Sequence, residues 1–180
     1  MRCLRFTPLL AVLAVVSACG STTGSMVSSN PSASPTTTAS RPQCTDVPLG
    51  TGLRSVGFPR SPGLNAPALL VEVANTVSER ETGLMNRACL GTGSGMLFVF
   101  PSDTNAAFWM KDTLIPLSIA FVRADGTIVH MEDMRPQTET NHYSTGPYRY
   151  AIEANVGWFA AQGISAGDKA EIPSSTSATS

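Results

Sequence analysis

Residues 107–121 read AFWMKDTLIPLSIAF, and this stretch places three chemically distinctive side chains beside a pattern of buried sheet. The segment PLSIAFV is almost continuously apolar, which is typical of a strand in the core. We expect FWMK to form a neighbouring strand, with Pro116 at an edge, bend or bulge because proline cannot donate to a ladder. In such a strand Trp109 and Lys111 share one face. The polar and aromatic side chains of this stretch therefore either support the fold or form a functional site.

Other segments extend the same pattern outward. Strand patterns occur at APALLVEVANT (66–76), GMLFVF (95–100), RADGTIVHM (123–131, a hairpin), YRYAIEA (148–154) and ISAGDKAEI (164–172, a turn and a strand). Thr76 and Glu79 form a capping-box pattern before a short helix that would end at Gly83. A second short helix is predicted from an N-cap at Asn155 to Gly163. The fold class predicted is α+β, with a mostly antiparallel β sheet or half-barrel and two short helices.

The N-terminus carries a targeting signal. Arg2 and Arg5 precede the nine apolar residues PLLAVLAVV, a run far shorter than the roughly 20 residues that span a bilayer. We interpret residues 1–18 as a signal peptide. The following VSAC resembles a bacterial lipobox, in which Cys19 would carry acyl chains such as palmitate and anchor the protein. The alternative is an ordinary signal peptide cut near Ala18.

These features divide the chain. After the lipidated cysteine, residues 19–42 are nearly all Gly, Ser, Thr, Pro and Ala, which predicts a flexible linker. Residues 43–65 form an extension pinned to a folded domain at 66–172, and residues 173–180 form a disordered tail. The predicted localisation is the extracytoplasmic face of the cell membrane, with the lipid anchor as the membrane partner.

Charge and motif content exclude several classes of protein. Removing Arg2 and Arg5 from the 12 basic residues leaves 10, against 13 acidic residues, and no basic patch appears. Nucleic acid is therefore not an expected partner. The chain lacks G-x-S-x-G, a Cys–His arrangement and HExxH, and His130 and His142 stand apart in sequence. We therefore expect no acyl-transfer chemistry, no metal site and no cofactor.

Two cysteines remain once Cys3 is removed with the signal peptide and Cys19 is lipidated. Cys44 and Cys89 form an even pair in an oxidising compartment, which favours a disulfide. The bridge would close a loop of about 45 residues and stabilise the fold by roughly 4 kcal/mol. Two free thiols acting as a metal or redox pair are the alternative.

Four blocks of this sequence resemble, in order, the domain of unknown function 192 family. They are ERETGLMNRACL, GMLFVF, FWMKDTLIPLSIAFV and YAIEANVGWFAAQGISAGDKAEI, and the resemblance covers about residues 69 to 172. The resemblance implies a small, mainly β domain that often follows a signal sequence, and it implies no activity. The family pattern favours Asn at Asp112 and Asp at Ser118, which puts a carboxylate site at 118 in doubt. Cys89 lies outside the pattern.

The polar part of the opening stretch is the main candidate site. We expect Trp109, Lys111, Asp112 and Arg87 to line a binding groove, where the indole stacks on a sugar or aromatic ligand and the ammonium meets an anion. In the structural alternative, Trp109 covers an edge of the core and Lys111 pairs with Glu153 or Asp112. Packing alone can account for this block of residues, since replacing a buried tryptophan with alanine costs about 3 to 5 kcal/mol.

Glu153 lies in the middle of a predicted strand, where a charge needs a partner. We expect a structural ion pair with Arg80 or Arg87, because a guanidinium binds a carboxylate with two parallel hydrogen bonds. In a variant of this hypothesis, one of the two arginines stays free as an anion site.

The hypothesis for function is a non-catalytic module of the cell envelope that binds a glycan, a small molecule or a protein partner. An alternative is an enzyme acting on an envelope substrate, with Lys111 and Asp112 or Glu153 as acid and base. A third interpretation is a copper-handling lipoprotein, in which Met110, Met131 and His130 converge on Cu(I) because thioethers are soft ligands.

Overall fold

The structure, a computed structural model, describes Cys44, residues 52–60 and residues 65–178. All described residues belong to one compact unit, Ser40–Ser180. The predicted signal peptide, Cys19, the linker and much of the extension therefore lie outside the described residues. None of the helices in the described ranges has the length and apolar character that crossing a bilayer requires.

One six-stranded sheet organises the domain. In chain order the elements are β1 (Arg54–Gly57), β2 (Ala68–Ala74), α1 (Val77–Thr82), β3 (Ser94–Thr104), β4 (Leu117–Val122), β5 (Ile128–Met134), β6 (Tyr148–Asn155) and α2 (Trp158–Ala161). The strand order is β1-β2-β3-β6-β4-β5, and only β2 and β3 pair in parallel. The predicted α+β class is confirmed, as an open mixed sheet with β1 and β5 at its edges.

The sheet is covered on both faces, as the apolar run of β4 requires: all six residues of this strand are buried. Ala120 and Val122 join a cluster that includes Trp158 and Phe159 of α2, and we call this side the α2 face. Ile119 and Phe121 join a second cluster, which includes Met110 and the residues next to α1. This side lies under α1 and the segments 105–116 and 135–147, and we call it the loop face.

Helix α1 forms as its sequence predicts. The Thr76 hydroxyl accepts from the Glu79 N–H (3.2 Å), and the Glu79 carboxylate accepts from the Thr76 N–H (2.9 Å), which completes the capping box. Gly83 ends the helix with a φ of 48°. A β-carbon there would lie 3.2 Å from Cζ of Phe98, so the position requires glycine for both its conformation and its packing.

Helix α2 begins later than predicted. The ladder of β6 continues to Asn155, whose side-chain amide donates to the carbonyl oxygens of Leu90 (3.1 Å) and Gly91 (2.9 Å) instead of capping a helix. The N-cap is Gly157, at a φ of 76°. Asn155 therefore fastens the segment before β3 to the sheet.

The predicted strand FWMK is wrong. Phe108 forms an isolated bridge with His142, through N–H to O distances of 2.9 and 2.7 Å. The chain then turns, since the Thr113 N–H donates to the Met110 carbonyl (3.2 Å) and Asp112 takes a φ of 54°. A residue in this left-handed region cannot continue a ladder.

The chain ends also differ from expectation. The predicted strand at 164–172 is replaced by two isolated bridges, Thr127 to Lys169 and Gly57 to Glu171. Of the tail predicted to be disordered, residues 173–178 are described, and the Ser175 hydroxyl accepts from Arg54 Nε at 2.9 Å. This contact places the tail against β1.

The predicted disulfide is present. Cys44 and Cys89 are bonded, with their α-carbons 6.0 Å apart. The bond ties the extension before the domain to the segment between α1 and β3, as the cysteine count indicated.

Candidate functional site

The loop at 105–116 is held firmly on the loop face of the sheet. Met110 is fully buried and its N–H donates to the Thr138 carbonyl at 3.0 Å. The Tyr148 hydroxyl donates to the Ala106 carbonyl at 2.7 Å, and burial raises the pKa of this phenol well above its ordinary value. The loop is therefore tied to the sheet and to the segment 135–147.

The far end of the loop is tied as well. The Asn86 N–H donates to the Asp112 carbonyl (2.8 Å), and the Gln137 N–H donates to the Thr113 carbonyl (3.0 Å). These bonds connect the loop to the turn after α1 on one side and to the 135–147 segment on the other. Side chains on this loop consequently project from a fixed backbone.

Trp109 and Lys111 meet on the surface of this loop. Trp109 is 47% exposed, and the Lys111 ammonium lies 5.4 Å from the centre of its ring. A cation–π contact of this kind contributes about 0.5 to 1 kcal/mol at an exposed site. Met110, and not Trp109, is the fully buried residue of this loop, and Trp109 stays about half exposed. Lys111 forms its contact with the indole, and with neither Asp112 nor Glu153.

The other two residues of the predicted groove are engaged differently. The Asp112 side chain is exposed, while its carbonyl holds the turn after α1. The two terminal nitrogens of Arg87 donate to the two carboxylate oxygens of Glu72, and Nη2 lies 2.6 Å from Oε2. Arg87 is therefore bound to Glu72, and of the four predicted groove residues Trp109, Lys111 and Asp112 have exposed side chains on the loop.

The pair of Glu72 and Arg87 lines a shallow cleft of about 350 Å³ beside α1. Met96 and Gly83 contribute to the same cleft. Glu72 neutralises the guanidinium charge, so Arg87 is not available to bind an anion in this cleft.

The predicted ion pair of Arg80 with Glu153 does not form. Arg80 Nη1 donates to the carbonyls of Asn75 (2.7 Å) and Val99 (2.9 Å), and its guanidinium lies 5.3 Å from the Phe100 ring centre. The side chain therefore joins α1 to β3 through backbone oxygens. The acceptors of Arg80 are these backbone oxygens and not the Glu153 carboxylate.

Glu153 is a buried carboxyl group without an ionic partner. It is 4% exposed and lies in register between Met96 of β3 and Ile119 of β4. Among the described residues, no side chain or backbone N–H donates to it. Burial raises its pKa from 4.5 to about 8, so the group is mainly protonated at neutral pH.

A cluster that the sequence did not reveal lies around Glu132 of β5. The His142 Nδ1 is 3.0 Å from one carboxylate oxygen, and the His130 Nε2 is 3.8 Å from the other. The His142 Nε2 is buried and has no hydrogen-bond partner within the described ranges. The Glu132 carboxylate thus orients the His142 ring, with Nδ1 directed at the carboxylate and Nε2 directed away from it.

Part of this cluster has a sequence signal. His130 and Glu132 are two residues apart on a strand and so share a face. His142 comes from the long polar segment 135–147, whose path no local pattern specifies. Its approach to Glu132 follows from the bridge between His142 and Phe108.

Ser118 occupies the position where the family pattern favours aspartate. Its hydroxyl donates to the Asp133 carboxylate and accepts from the Gly157 N–H at 2.8 Å. The two strand residues are register partners in β4 and β5. The structure thus brings a carboxylate from the neighbouring strand next to position 118.

The convergence required for copper does not form. Met110 belongs to the loop-face cluster, whereas Met131 packs against the cluster on the α2 face. Two thioethers on opposite faces of a sheet cannot bind one ion. His130 instead stacks on Phe121, with ring centres 6.0 Å apart. Over the described residues, no group of three or more His, Cys, Asp or Glu side chains is placed to hold a metal ion.

Comparisons with known proteins give one family. A family model, DUF192, described as "Uncharacterized ACR", matches residues 62–172. Two solved structures are similar to the chain, each with 35% identity, a TM-score of 0.63 and 67% of this chain covered. One is a "putative transcription regulator" from Sinorhizobium meliloti, covered over 93% of its length, and the other is a protein of unknown function from Novosphingobium aromaticivorans, covered over 85%. No curated protein matches.

Proposed function

The chain belongs to the domain of unknown function 192 family, and from this premise we propose that it is a lipid-anchored, non-catalytic binding module of the cell envelope. Its ligand is an acidic glycan, bound by Trp109 and Lys111 on the loop face. One similar structure is described as a "putative transcription regulator", but the sequence of this chain has no run of basic residues for binding nucleic acid.

The exposed indole of Trp109 carries the proposal. The indole is 47% exposed, and Trp109 belongs to neither core cluster. Here the loop is tied by hydrogen bonds on both sides, and the adjacent Met110 provides the core anchor. A rigid backbone that presents an aromatic ring to solvent is typical of a stacking surface for a sugar or another flat ligand.

The charge beside the ring favours an acidic ligand. Lys111 forms none of the ion pairs found among the described residues, so its ammonium is available to a carboxylate. The exposed carboxylate of Asp112 can accept hydrogen bonds from sugar hydroxyls. An aromatic face, a cation and an acceptor together suit a sugar acid better than an apolar molecule or a polyanion.

The position of Glu153 supports a binding role over catalysis. The enzyme hypothesis requires Lys111 to act with Asp112 or Glu153. Glu153 is 4% exposed and lies within the sheet, whereas Lys111 is exposed and sits over Trp109. A general acid and a general base must reach the same substrate atom or its neighbour. The buried Glu153 and the exposed Lys111 are not placed to act on one substrate in this way.

The sequence of the N-terminus supports the anchor. Cys19 follows small residues directly after a signal-peptide pattern, and two or three acyl chains exceed what stable anchoring needs. Residues 20–42 would then serve as a tether with a reach of about 25 to 30 Å. A module on such a tether can contact glycans close to the membrane surface.

Binding is tested by measuring the affinity of the full chain for muropeptides and for neutral chitin oligosaccharides. We expect muropeptides to bind more tightly, and Trp109→Ala to weaken their binding by about tenfold or more, as a lost stacking contact does. Lys111→Gln should remove the preference for the acidic ligand. Leu114→Ala is the matched control, since Leu114 is 45% exposed on the same loop.

Equal binding by the wild type, Trp109→Ala and Lys111→Gln would contradict the proposed site. Anchoring is tested separately by metabolic labelling with an alkyne analogue of palmitate. The label should be absent from Cys19→Ala and present in Cys3→Ala. A label that persists in Cys19→Ala would refute the anchor without affecting the binding site.

A further inference from the structure

A second candidate surface lies on the opposite side of the sheet, along the edge strand β5. A cleft of about 400 Å³ runs between residues 130–133 of β5 and the segment that contains α2. Its apolar wall includes Met131, Phe159 and Ile164. Because consecutive residues of one strand line the cleft, it follows the edge of the strand rather than one of its faces.

The edge is closed at one end and open at the other. Ile128 is paired on its outer side, where its N–H donates to the Asp168 carbonyl (2.9 Å) and its carbonyl accepts from the Gly167 N–H (2.8 Å). The Val129 carbonyl accepts from the Thr145 hydroxyl at 3.3 Å. Beyond Val129, no described segment pairs with the outer side of the strand.

An open strand edge beside an apolar cleft has the geometry of β-augmentation. In this binding mode an extended peptide forms backbone hydrogen bonds with the edge, and alternate side chains enter the neighbouring pocket. The open part of β5 covers residues 130–134, a length of about 17 Å at 3.4 Å per residue. This length accommodates a peptide of about five residues.

The charged residues around the cleft indicate the chemistry of the partner that it would bind. Glu132 and Asp133 contribute carboxylates and His130 contributes an imidazole, and no described lysine or arginine lines the cleft. Asp133 shares the α2 face with Met131, whereas Glu132 points to the other side, so Glu132 favours basic side chains on the residues of the peptide that point away from the apolar wall. We infer that β5 and α2 form a docking groove for an extended peptide of a partner protein in which apolar and basic residues alternate.

Two other occupants fit the groove less well. A second copy pairing β5 with β5 would bring the carboxylates of Glu132 and Asp133 against their own copies, and like charges on facing strands are destabilising. The chain's own segment 20–42 contains three prolines and a single basic residue, Arg41. Proline lacks the N–H that strand pairing requires.

The test uses the ¹⁵N-labelled full chain and an acetylated, amidated heptapeptide of alternating valine and lysine. We expect the amide resonances of residues 130–134 and 157–166 to shift on titration, and those of Trp109 and Lys111 to stay in place. The same peptide with glutamate for lysine, or with alternate backbone nitrogens methylated, should bind at least several-fold more weakly. These two peptides separate charge from strand pairing.

A matched pair of variants tests the location. Ala160 of α2 is exposed and lines the cleft, whereas the adjacent Ala161 is exposed and does not. Ala160→Trp should weaken peptide binding by about tenfold or more by filling the cleft, and Ala161→Trp should leave it unchanged. Glu132→Gln should weaken it by about two- to fivefold, the range for a partly exposed ion pair.

Three results would overturn the inference. The first is the absence of shifts in β5 at millimolar peptide, and the second is equal binding by the Ala160→Trp and Ala161→Trp variants. The third is sedimentation that shows concentration-dependent dimers together with shifts in β5, since the occupant would then be a second copy. Failure of the glycan experiment on the loop face would leave this inference unaffected.

Discussion

The two faces of the sheet treat buried polar groups differently. On the α2 face, the buried Ser118 hydroxyl forms two hydrogen bonds, to Asp133 and from Gly157. On the loop face, the buried His142 Nε2 has no hydrogen-bond partner among the described residues, and the buried Glu153 carboxyl group has no ion pair there. The two tryptophans differ in the same way: Trp158 is 9% exposed on the α2 face, and Trp109 is 47% exposed on the loop face.

This contrast separates stability from function. Unpaired buried polar groups lower stability, and they persist where another requirement outweighs that cost. The α2 face packs a helix on a sheet and leaves its buried hydroxyl satisfied. The loop face contains the buried acid Glu153, the unpaired Nε2 of His142 and the exposed indole of Trp109. The contrast supports the proposed glycan site on the loop face, whereas the groove proposed at the edge of β5 borders the α2 face, whose interior is packed as a core.

The largest effect is expected from Trp158→Ala. The indole packs against Phe58 and Phe159, with ring centres 5.7 and 5.3 Å away. Truncating a buried aromatic side chain of this kind lowers the free energy of unfolding by about 3 to 5 kcal/mol. Urea denaturation followed by circular dichroism measures the loss. A loss below about 1 kcal/mol would contradict the core role of the α2 face.

The second effect is a pH dependence caused by Glu153. Its pKa is about 8 in the folded protein and 4.5 ordinarily, so between these values the folded state holds a proton that the unfolded state has released. The free energy of unfolding should therefore fall as pH rises from about 4.5 to 8, by up to roughly 5 kcal/mol. Denaturation at a series of pH values measures this slope.

Glu153→Gln should flatten the stability profile over this pH window, because the amide does not titrate. Glu81→Gln is the control, since Glu81 is an exposed glutamate on α1. Identical pH profiles for the wild type and Glu153→Gln would show that the buried acid does not set the slope.

A smaller loss is expected from Arg87→Lys. The guanidinium forms a bidentate pair with Glu72, and the two side chains are 22% and 15% exposed. Lysine keeps the charge and loses the parallel pair of hydrogen bonds, which should lower the free energy of unfolding by about 1 to 2 kcal/mol. Arg123→Lys, at an exposed arginine, is the control. Equal stability of the two variants would argue against a structural role for the pair.

The smallest effect on stability is expected from Trp109→Ala. The variant loses the cation–π contact with Lys111 and little core packing, so the loss should stay below about 1 kcal/mol. The same variant should show the largest loss of glycan binding. If its loss of stability matched that of Trp158→Ala, Trp109 would be scaffold, and the division between the two faces would fail.

Much of the fold was predictable from local patterns. The apolar runs of β3 and β4 and the alternation in β2 identified strands, and Thr76 with Glu79 identified the start of α1. The cysteine count identified the pair Cys44 and Cys89. Each of these signals acts within one element or follows from a count, so it needs no knowledge of the neighbouring chain.

The candidate site was predictable only in part. Trp109 and Lys111 were chosen as site residues because of their residue types. They were assigned to a strand, because an alternating apolar pattern does not reveal the turn at Asp112. Arg87 was assigned to the groove, and its partner Glu72 lies 15 positions away in sequence on β2. The partner of Glu153 was predicted from charge alone, and burial instead keeps that group protonated.

By itself, the sequence determined the α+β class, most strands, helix α1, the disulfide and the family, since periodicity, capping residues and motif order are local properties. Only the tertiary structure decided the strand order, the separation of Met110 from Met131, the approach of His142 to Glu132 and the open edge of β5. These features depend on how distant segments pack, and long-range packing sets which polar groups are buried, paired or exposed.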